Sequence, residues 1–135
     1  MNSPKLTSKT VIRTYLTLAL FNTLAASLIW GVNTLFLLDA GLSIVEAFAA
    51  NAFFTLGMVL FEIPTGVIAD SKGRRVSYLL GTLTLAITTL LYLVLAWAQA
   101  PFIAWAVVSL FLGLGFTFFS GATDAWLVDA LKFTK

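Results

Sequence analysis

Four long runs of apolar residues alternate with short polar segments along the 135 residues of the chain. A helix that crosses a bilayer needs about 20 predominantly apolar residues, and each of the four runs meets that length. We therefore predict transmembrane helices over residues 11–38, 44–69, 76–98 and 101–131. This pattern is typical of an all-α polytopic membrane protein with four transmembrane helices.

Residues in the turns between helices 1 and 2 and between helices 3 and 4 indicate where helices end and begin. Gly41 follows helix 1 and can take the left-handed conformation that ends a helix. Ser43 and Glu46 have the spacing of a capping box, which predicts that helix 2 begins directly after Ser43. Trp97 and Trp105 flank the turn between helices 3 and 4, where we expect both to join an aromatic belt at the membrane surface.

The composition excludes a soluble domain and gives no support to an enzyme. Hydrophobic residues make up 60% of the chain and charged residues 10%, whereas a soluble domain carries about 25% charged residues. Cysteine and histidine are both absent, which removes thiolate and imidazole ligands and the usual general base. The sequence contains no recognisable nucleophile with a positioned base and no phosphate-binding loop. We expect no enzymatic activity, no cofactor and no metal ion.

Positive charge is confined to the N-terminal segment, the segment between helices 2 and 3, and the C-terminal end. Because lysine and arginine favour the cytoplasmic side, we predict that both ends of this chain are cytoplasmic, in a plasma or inner cell membrane. The sequence pI near 9.2 comes from residues beside membrane spans. We therefore expect these basic residues to interact with the anionic headgroups of the lipid bilayer and not with nucleic acid. They are Lys5, Lys9, Arg13, Lys72, Arg74, Arg75, Lys132 and Lys135.

Two asparagines share one face of predicted helix 1. Asn22 and Asn33 are eleven residues apart, which is about three helical turns. A bare amide that faces lipid is costly, so this face should meet protein or water. Two interpretations remain open: the amides line a polar cavity, or they form hydrogen bonds between helices.

Predicted helix 2 carries an acid well inside an apolar run. Glu62 would cost roughly 2.5–3.5 kcal/mol if it were ionised at the centre of a membrane helix, so it needs a partner, water or a proton. Pro64 follows two residues later and should kink the helix. We interpret Glu62 as a cavity or proton residue, or as an ion-pair partner of a base elsewhere. It belongs to a polar face that repeats at the helical period: Asn51, Thr55, Met58, Glu62, Thr65 and Ala69.

Predicted helix 4 is rich in small residues, and predicted helix 3 carries no charge. Small residues let membrane helices pack closely. The hydroxyl groups of helix 3 can bond to carbonyls of their own helix, so we expect helix 3 to face lipid over much of its surface. Asp124 of helix 4 is a second candidate for a cavity or proton site. It shares a polar face with Gly113, Thr117 and Ser120.

The polar segment over residues 66–75 has a specific spacing of glycines, an acid and bases. It resembles the signature loop between the second and third transmembrane helices of the major facilitator superfamily. Residues 120–129, which end on the acid Asp129, resemble the end of helix 4 in the same superfamily. The positions that match the loop pattern are Gly66, Ala69, Asp70, Gly73, Arg74 and Arg75.

The resemblance implies roles for these residues in opening and closing a transporter. Asp70 would cap helix 2 and meet the end of a helix from the other half of the protein. Arg74 would bridge to Asp129, Gly66 would allow the two halves to approach, and Gly73 would permit the turn. Helices 1 and 4 would line a central cavity, and helix 3 would be peripheral.

At the level of the whole molecule, the resemblance implies the first third of a twelve-helix fold built from repeats. The expected function is secondary transport of a small-molecule substrate by alternating access. The chain would then be an N-terminal fragment, unable to transport without the C-terminal helices that complete the transporter. The alternative is a complete four-helix membrane protein that acts as a homo-oligomeric small transporter or as a non-transport accessory subunit.

Overall fold

The structure, a computed structural model, describes residues 7–132, except for the side chains at positions 120, 121 and 124. This part of the chain folds into four helices: α1 (Ser8–Asp39), α2 (Ile44–Lys72), α3 (Arg74–Trp97) and α4 (Phe102–Lys132). All four are long and apolar enough to cross a membrane. The predicted all-helical class is therefore confirmed, and each observed helix overlaps the predicted one along most of its length.

The turn between α1 and α2 has the local chemistry that the sequence predicts. Gly41 has φ of +97°, the left-handed region that favours glycine. Ser43 and Glu46 form a complete capping box. The Ser43 amide donates to the Glu46 carboxylate at 2.8 Å, and the Glu46 amide donates to the Ser43 hydroxyl at 3.3 Å. These bonds satisfy amide groups that the first turn of α2 would otherwise leave without partners.

The junction between α2 and α3 is much shorter than the predicted polar segment. Helix α2 continues through Asp70 to Lys72, and α3 begins at Arg74, so Gly73 alone separates them. Gly73 has φ of +92° and ψ of 153°, a region that is essentially open only to glycine. Both helices are therefore a few residues longer here than the predicted spans, which end at about residue 69 and begin at about residue 76. A change from apolar to polar residues marks where the membrane ends, but only Gly73 interrupts the helical backbone.

Helix α4 forms the centre of the bundle because glycines bring its backbone close to both neighbours. A Cβ atom at Gly113 would lie 2.8 Å from the Met58 amide nitrogen and would also clash with the Phe54 carbonyl oxygen. On the facing helix, a Cβ at Gly57 would clash with the backbone of Leu110. Helix α3 approaches the other side of α4 at Gly81, where an added Cβ would lie 3.1 Å from the Gly115 carbonyl oxygen. The prediction that small residues allow tight packing of helix 4 is therefore confirmed.

The main hydrophobic core lies toward the two turns on the far side from Gly73. Trp105 is fully buried there, and its indole N–H donates to the Ala100 carbonyl at 3.1 Å. Its ring packs edge-on against Tyr92, with 5.2 Å between ring centroids. The prediction that Trp105 lies in an aromatic belt is therefore wrong, because its side chain points into the bundle. Trp97, by contrast, is 88% exposed.

Helices α1 and α3 occupy the outside of the bundle. Most of α1 is exposed, and of its described residues only Val11 and Leu37 are fully covered. The α3 hydroxyl of Thr84 donates to a carbonyl of its own helix, as predicted, and so do those of Thr82 and Thr88. Ser77 is different: it is buried and donates to the Phe118 carbonyl of α4 at 3.1 Å.

Candidate functional site

An ion-pair cluster joins the ends of α2, α3 and α4 on the Gly73 side of the bundle. The Arg74 guanidinium lies between two carboxylates. Its Nη1 is 2.7 Å from Oδ1 of Asp70, and its Nε is 3.6 Å from Oδ2 of Asp129. The structure thus contains the Arg74–Asp129 pair that the resemblance implies, together with a second pair that sequence reasoning did not anticipate.

The backbone geometry at Gly73 explains how the cluster forms. Asp70 and Arg74 are four residues apart, a spacing that brings side chains together on one helix face. In this protein they still meet, although the chain changes direction at Gly73 between them. Asp70 lies inside the last turn of α2 and does not cap it, so the predicted capping role is wrong. Its side chain is 70% exposed, which leaves part of the carboxylate open to a further partner.

The other positions of the signature pattern fall into two groups. Ala69 is buried inside the bundle. Gly66 faces open space, because a Cβ added there would meet nothing within 4 Å. Arg75 is exposed and forms no ion pair within the described residues. Gly66 therefore makes no close approach within the described part of the chain, and its predicted contact with another half of the protein stays a prediction.

Asn33 forms a polar contact between α1 and α2. Its amide nitrogen donates to the side-chain oxygen of Asn51 at 2.9 Å, and Asn51 in turn donates to the Thr34 hydroxyl at 3.4 Å. Asn33 also borders a largely apolar cleft of about 170 Å³ that reaches Thr89 of α3. Of the two interpretations left open, the hydrogen bond between helices is present at Asn33. Asn22 is half-buried and forms none of the hydrogen bonds found among the described residues.

We expect the Asn33–Asn51 hydrogen bond to make only a modest contribution to stability. Hydrogen bonds between membrane helices have an average coupling of about 0.6 kcal/mol, because the unfolded chain in the membrane also finds partners. A double-mutant cycle with Asn33→Leu and Asn51→Leu should give a coupling free energy of about that size. Unfolding by detergent titration would measure it. A coupling indistinguishable from zero would show that the two amides act independently.

Glu62 lies on the outside of α2, at the exposed part of the predicted polar face. Thr65 and Ala69 are buried. The hydroxyl of Thr65, which directly follows Pro64, donates to the carbonyl of Phe61, one turn earlier in the helix, at 2.8 Å. Glu62 and Thr55 are exposed instead. The predicted polar face of helix 2 therefore runs along the edge of the bundle, which covers some of its members and leaves others exposed.

The polar positions of α4 serve packing where the structure describes them. Gly113 and Thr117 are buried, and the Thr117 hydroxyl donates to the Leu114 carbonyl at 2.8 Å. The side chains of Ser120 and Asp124 lie outside the description, so the proposed proton or cavity role of Asp124 stays a prediction. The structure also contains a buried hydrogen bond, 2.7 Å long, between the hydroxyls of Tyr92 and Ser109, which the sequence does not predict. Two isolated hydroxyl residues on neighbouring apolar helices were its only sign in the sequence.

Comparison of the chain with models of known protein families, with curated proteins and with solved structures gave no match. Its class therefore follows from the fold alone. Four long apolar helices joined by short turns make this a helical, multi-pass membrane protein.

Proposed function

We propose that this chain is the N-terminal part of a secondary transporter of the major facilitator type, which moves small molecules by alternating access. The Arg74–Asp129 ion pair carries the proposal, because the resemblance required this contact between two residues 55 positions apart in the sequence. The glycine-only backbone at Gly73 supports the same assignment. The substrate site would lie between this segment and the helices that complete the transporter, in a plasma or inner cell membrane.

The energetics of the cluster suit a gate that must open and close. The Arg74 side chain is 26% exposed and that of Asp129 is 48% exposed. Ion pairs with this much exposure contribute about 0–1 kcal/mol each, so they can break and reform during a transport cycle. The open side of the Asp70 carboxylate offers a binding position for a helix from the other half. Disruption of the cluster should therefore change the balance between states more than it changes folding.

One observation is compatible both with the transporter and with the alternative of a four-helix protein that assembles with copies of itself. The outer face of α2, formed by Val59, Glu62, Ile63 and Gly66, is apolar except for its single acid, and Ile63 is 79% exposed. Glu62 on this face is costly against lipid, so another helix should cover it. In the transporter interpretation that helix belongs to the same protein. In the alternative it belongs to a second copy.

Cysteine cross-linking separates the two interpretations, because the chain has no native cysteine. We expect Ile63→Cys, placed on the outer face of α2, to form no disulfide between copies in native membranes. The protein expressed from its native reading frame should also have a mass well above the 14.6 kDa of this chain. Leu83→Cys on exposed α3 is the control for random collision. Efficient dimer formation at position 63, but not at position 83, would support self-assembly and contradict the transporter proposal.

A further inference from the structure

A cleft between α1, α3 and α4 opens on the Gly73 side of the bundle. Its volume is about 430 Å³, within the ~300–1,000 Å³ range typical of small-molecule sites. Most of its lining is apolar, and two arginines lie in the same wall. The residues used below are Leu18 from α1, Arg75, Tyr78 and Leu79 from α3, and Trp126 from α4, next to Arg74.

The two arginines of this wall differ in their freedom to bind a ligand. Arg74 already contacts the carboxylates of Asp70 and Asp129. Arg75 is exposed and forms no ion pair within the described part of the chain. The cleft therefore presents an available guanidinium beside an apolar surface. A guanidinium is well suited to phosphate, because its N–H groups can form two parallel charge-assisted hydrogen bonds.

The rest of the cleft fits an apolar chain attached to that phosphate. Leu79, one turn after Arg75, is 56% exposed, and Leu18 of α1 lines the same cleft. Tyr78 and Trp126 also line the wall, and residues of these two types are enriched at the depth of lipid headgroups. Basic pockets between transmembrane helices are known to bind anionic lipid headgroups.

We propose that this cleft binds one anionic phospholipid from the leaflet on the Gly73 side of the bundle. The Arg75 guanidinium holds the phosphate, and an acyl chain lies between Leu18 and Leu79. The proposal needs only that the helices span a membrane, so it stands independently of transport. Because Arg75 directly follows Arg74, a lipid bound here would adjoin the ion-pair cluster.

Quenching of tryptophan fluorescence by brominated lipid tests the proposal, because Trp126 lies in the wall of the cleft. The full chain is reconstituted in phosphatidylcholine vesicles that contain increasing amounts of brominated phosphatidylglycerol. The same titration with Trp126→Phe measures the quenching of the other three tryptophans. Subtracting it from the wild-type signal leaves the quenching of Trp126. We expect the Trp126 site to prefer phosphatidylglycerol over phosphatidylcholine by roughly tenfold, as charge-assisted hydrogen bonds allow.

Arg75→Gln should reduce this preference to nearly one, and Arg75→Lys should restore part of it. Lys72→Gln is the matched control, because it removes the same charge from an exposed residue that does not line the cleft. We expect it to keep the wild-type preference. Equal losses in the two glutamine variants would overturn the proposal in favour of general surface attraction. Circular dichroism establishes that each variant keeps its helical content.

Competition experiments on the unmodified protein give a result that does not depend on any Arg75 variant folding. Unbrominated phosphatidylglycerol should reverse the quenching, and phosphatidylcholine should not. Equal quenching by brominated phosphatidylglycerol and brominated phosphatidylcholine would show only non-selective surrounding lipid. Displacement of the brominated lipid by millimolar inorganic phosphate would show a site for a free anion. Either of these results would overturn the proposal.

Discussion

Gly113→Leu should destabilise the helical bundle by more than about 3 kcal/mol. Overpacking of a well-packed interior usually costs about 1–3 kcal/mol, when side chains can shift to make room. Here the obstacles are backbone atoms of α2, namely the Phe54 carbonyl and the Met58 amide, which cannot move without displacing the whole helix. The expected effect therefore lies at or above the upper end of that range. Titration with a denaturing detergent, followed by circular dichroism, would measure the free energy of unfolding.

Gly31→Leu is the matched control for this substitution. Gly31 is also a helical glycine, but a Cβ added there would meet nothing within 4 Å. We expect it to change stability by less than about 0.5 kcal/mol, as exposed substitutions away from special features usually do. Gly113→Ala should lie between wild type and Gly113→Leu, because its Cβ alone already clashes. Equal stability of the Gly113 and Gly31 variants would show that α2 and α4 do not approach as closely as described.

The helices could be predicted well because length, apolarity and local caps act close by in the sequence. About 20 apolar residues predict a span, and the Ser43–Glu46 box needs only four neighbouring residues. The α2–α3 junction was predicted less well, because polar residues such as Asp70 and Lys72 are compatible with a helix that leaves the membrane. Only Gly73, with its positive φ, requires the chain to break.

The faces of the helices could be predicted only in part. Thr65 and Glu62 are three residues apart and fall on one predicted stripe, yet one is buried and the other exposed. The helical period gives the angle between two side chains around the helix axis. It does not say which side of the helix the neighbouring helices cover. The prediction for Trp105 is wrong for a related reason. A tryptophan beside a turn suits both an interface and a core, and the Ala100 carbonyl that holds its indole inside could not be foreseen.

The second large expected effect concerns the ion-pair cluster. We expect a substitution there to have a small effect on the stability of the fold and a large effect on the balance between transporter states. Arg74→Asp would place three carboxylates together, with Asp70 and Asp129. Because pairs with this exposure contribute about 0–1 kcal/mol, stability should fall only slightly. If the cluster holds one state of a transporter closed, however, its loss should shift the balance of states by about 1–3 kcal/mol, or roughly 5–150-fold. Function should therefore change much more than folding.

A single cysteine at position 22 would report this shift without knowledge of the substrate. Asn22 lies on the α1 face predicted to line the cavity, and the chain has no other cysteine. In the protein expressed from its native reading frame, with any cysteine outside these 135 residues replaced by serine, a membrane-impermeant maleimide added on the Gly73 side should label the Asn22→Cys variant slowly. We expect Arg74→Asp to raise that labelling rate at least roughly fivefold, because the closed end would open more often.

Two further variants decide whether the effect belongs to the Arg74–Asp129 pair. Lys72→Asp makes the same change of charge on an exposed residue outside the described ion pairs, so it should alter the labelling rate less than twofold. The double variant Arg74→Asp with Asp129→Arg restores an acid opposite a base across the ends of α3 and α4. It should recover part of the slow labelling that Arg74→Asp loses, because the closer contact between position 74 and Asp70 stays broken. If the double variant labels as fast as the single one, the pair does not hold the gate, and the cluster serves only to join the helix ends.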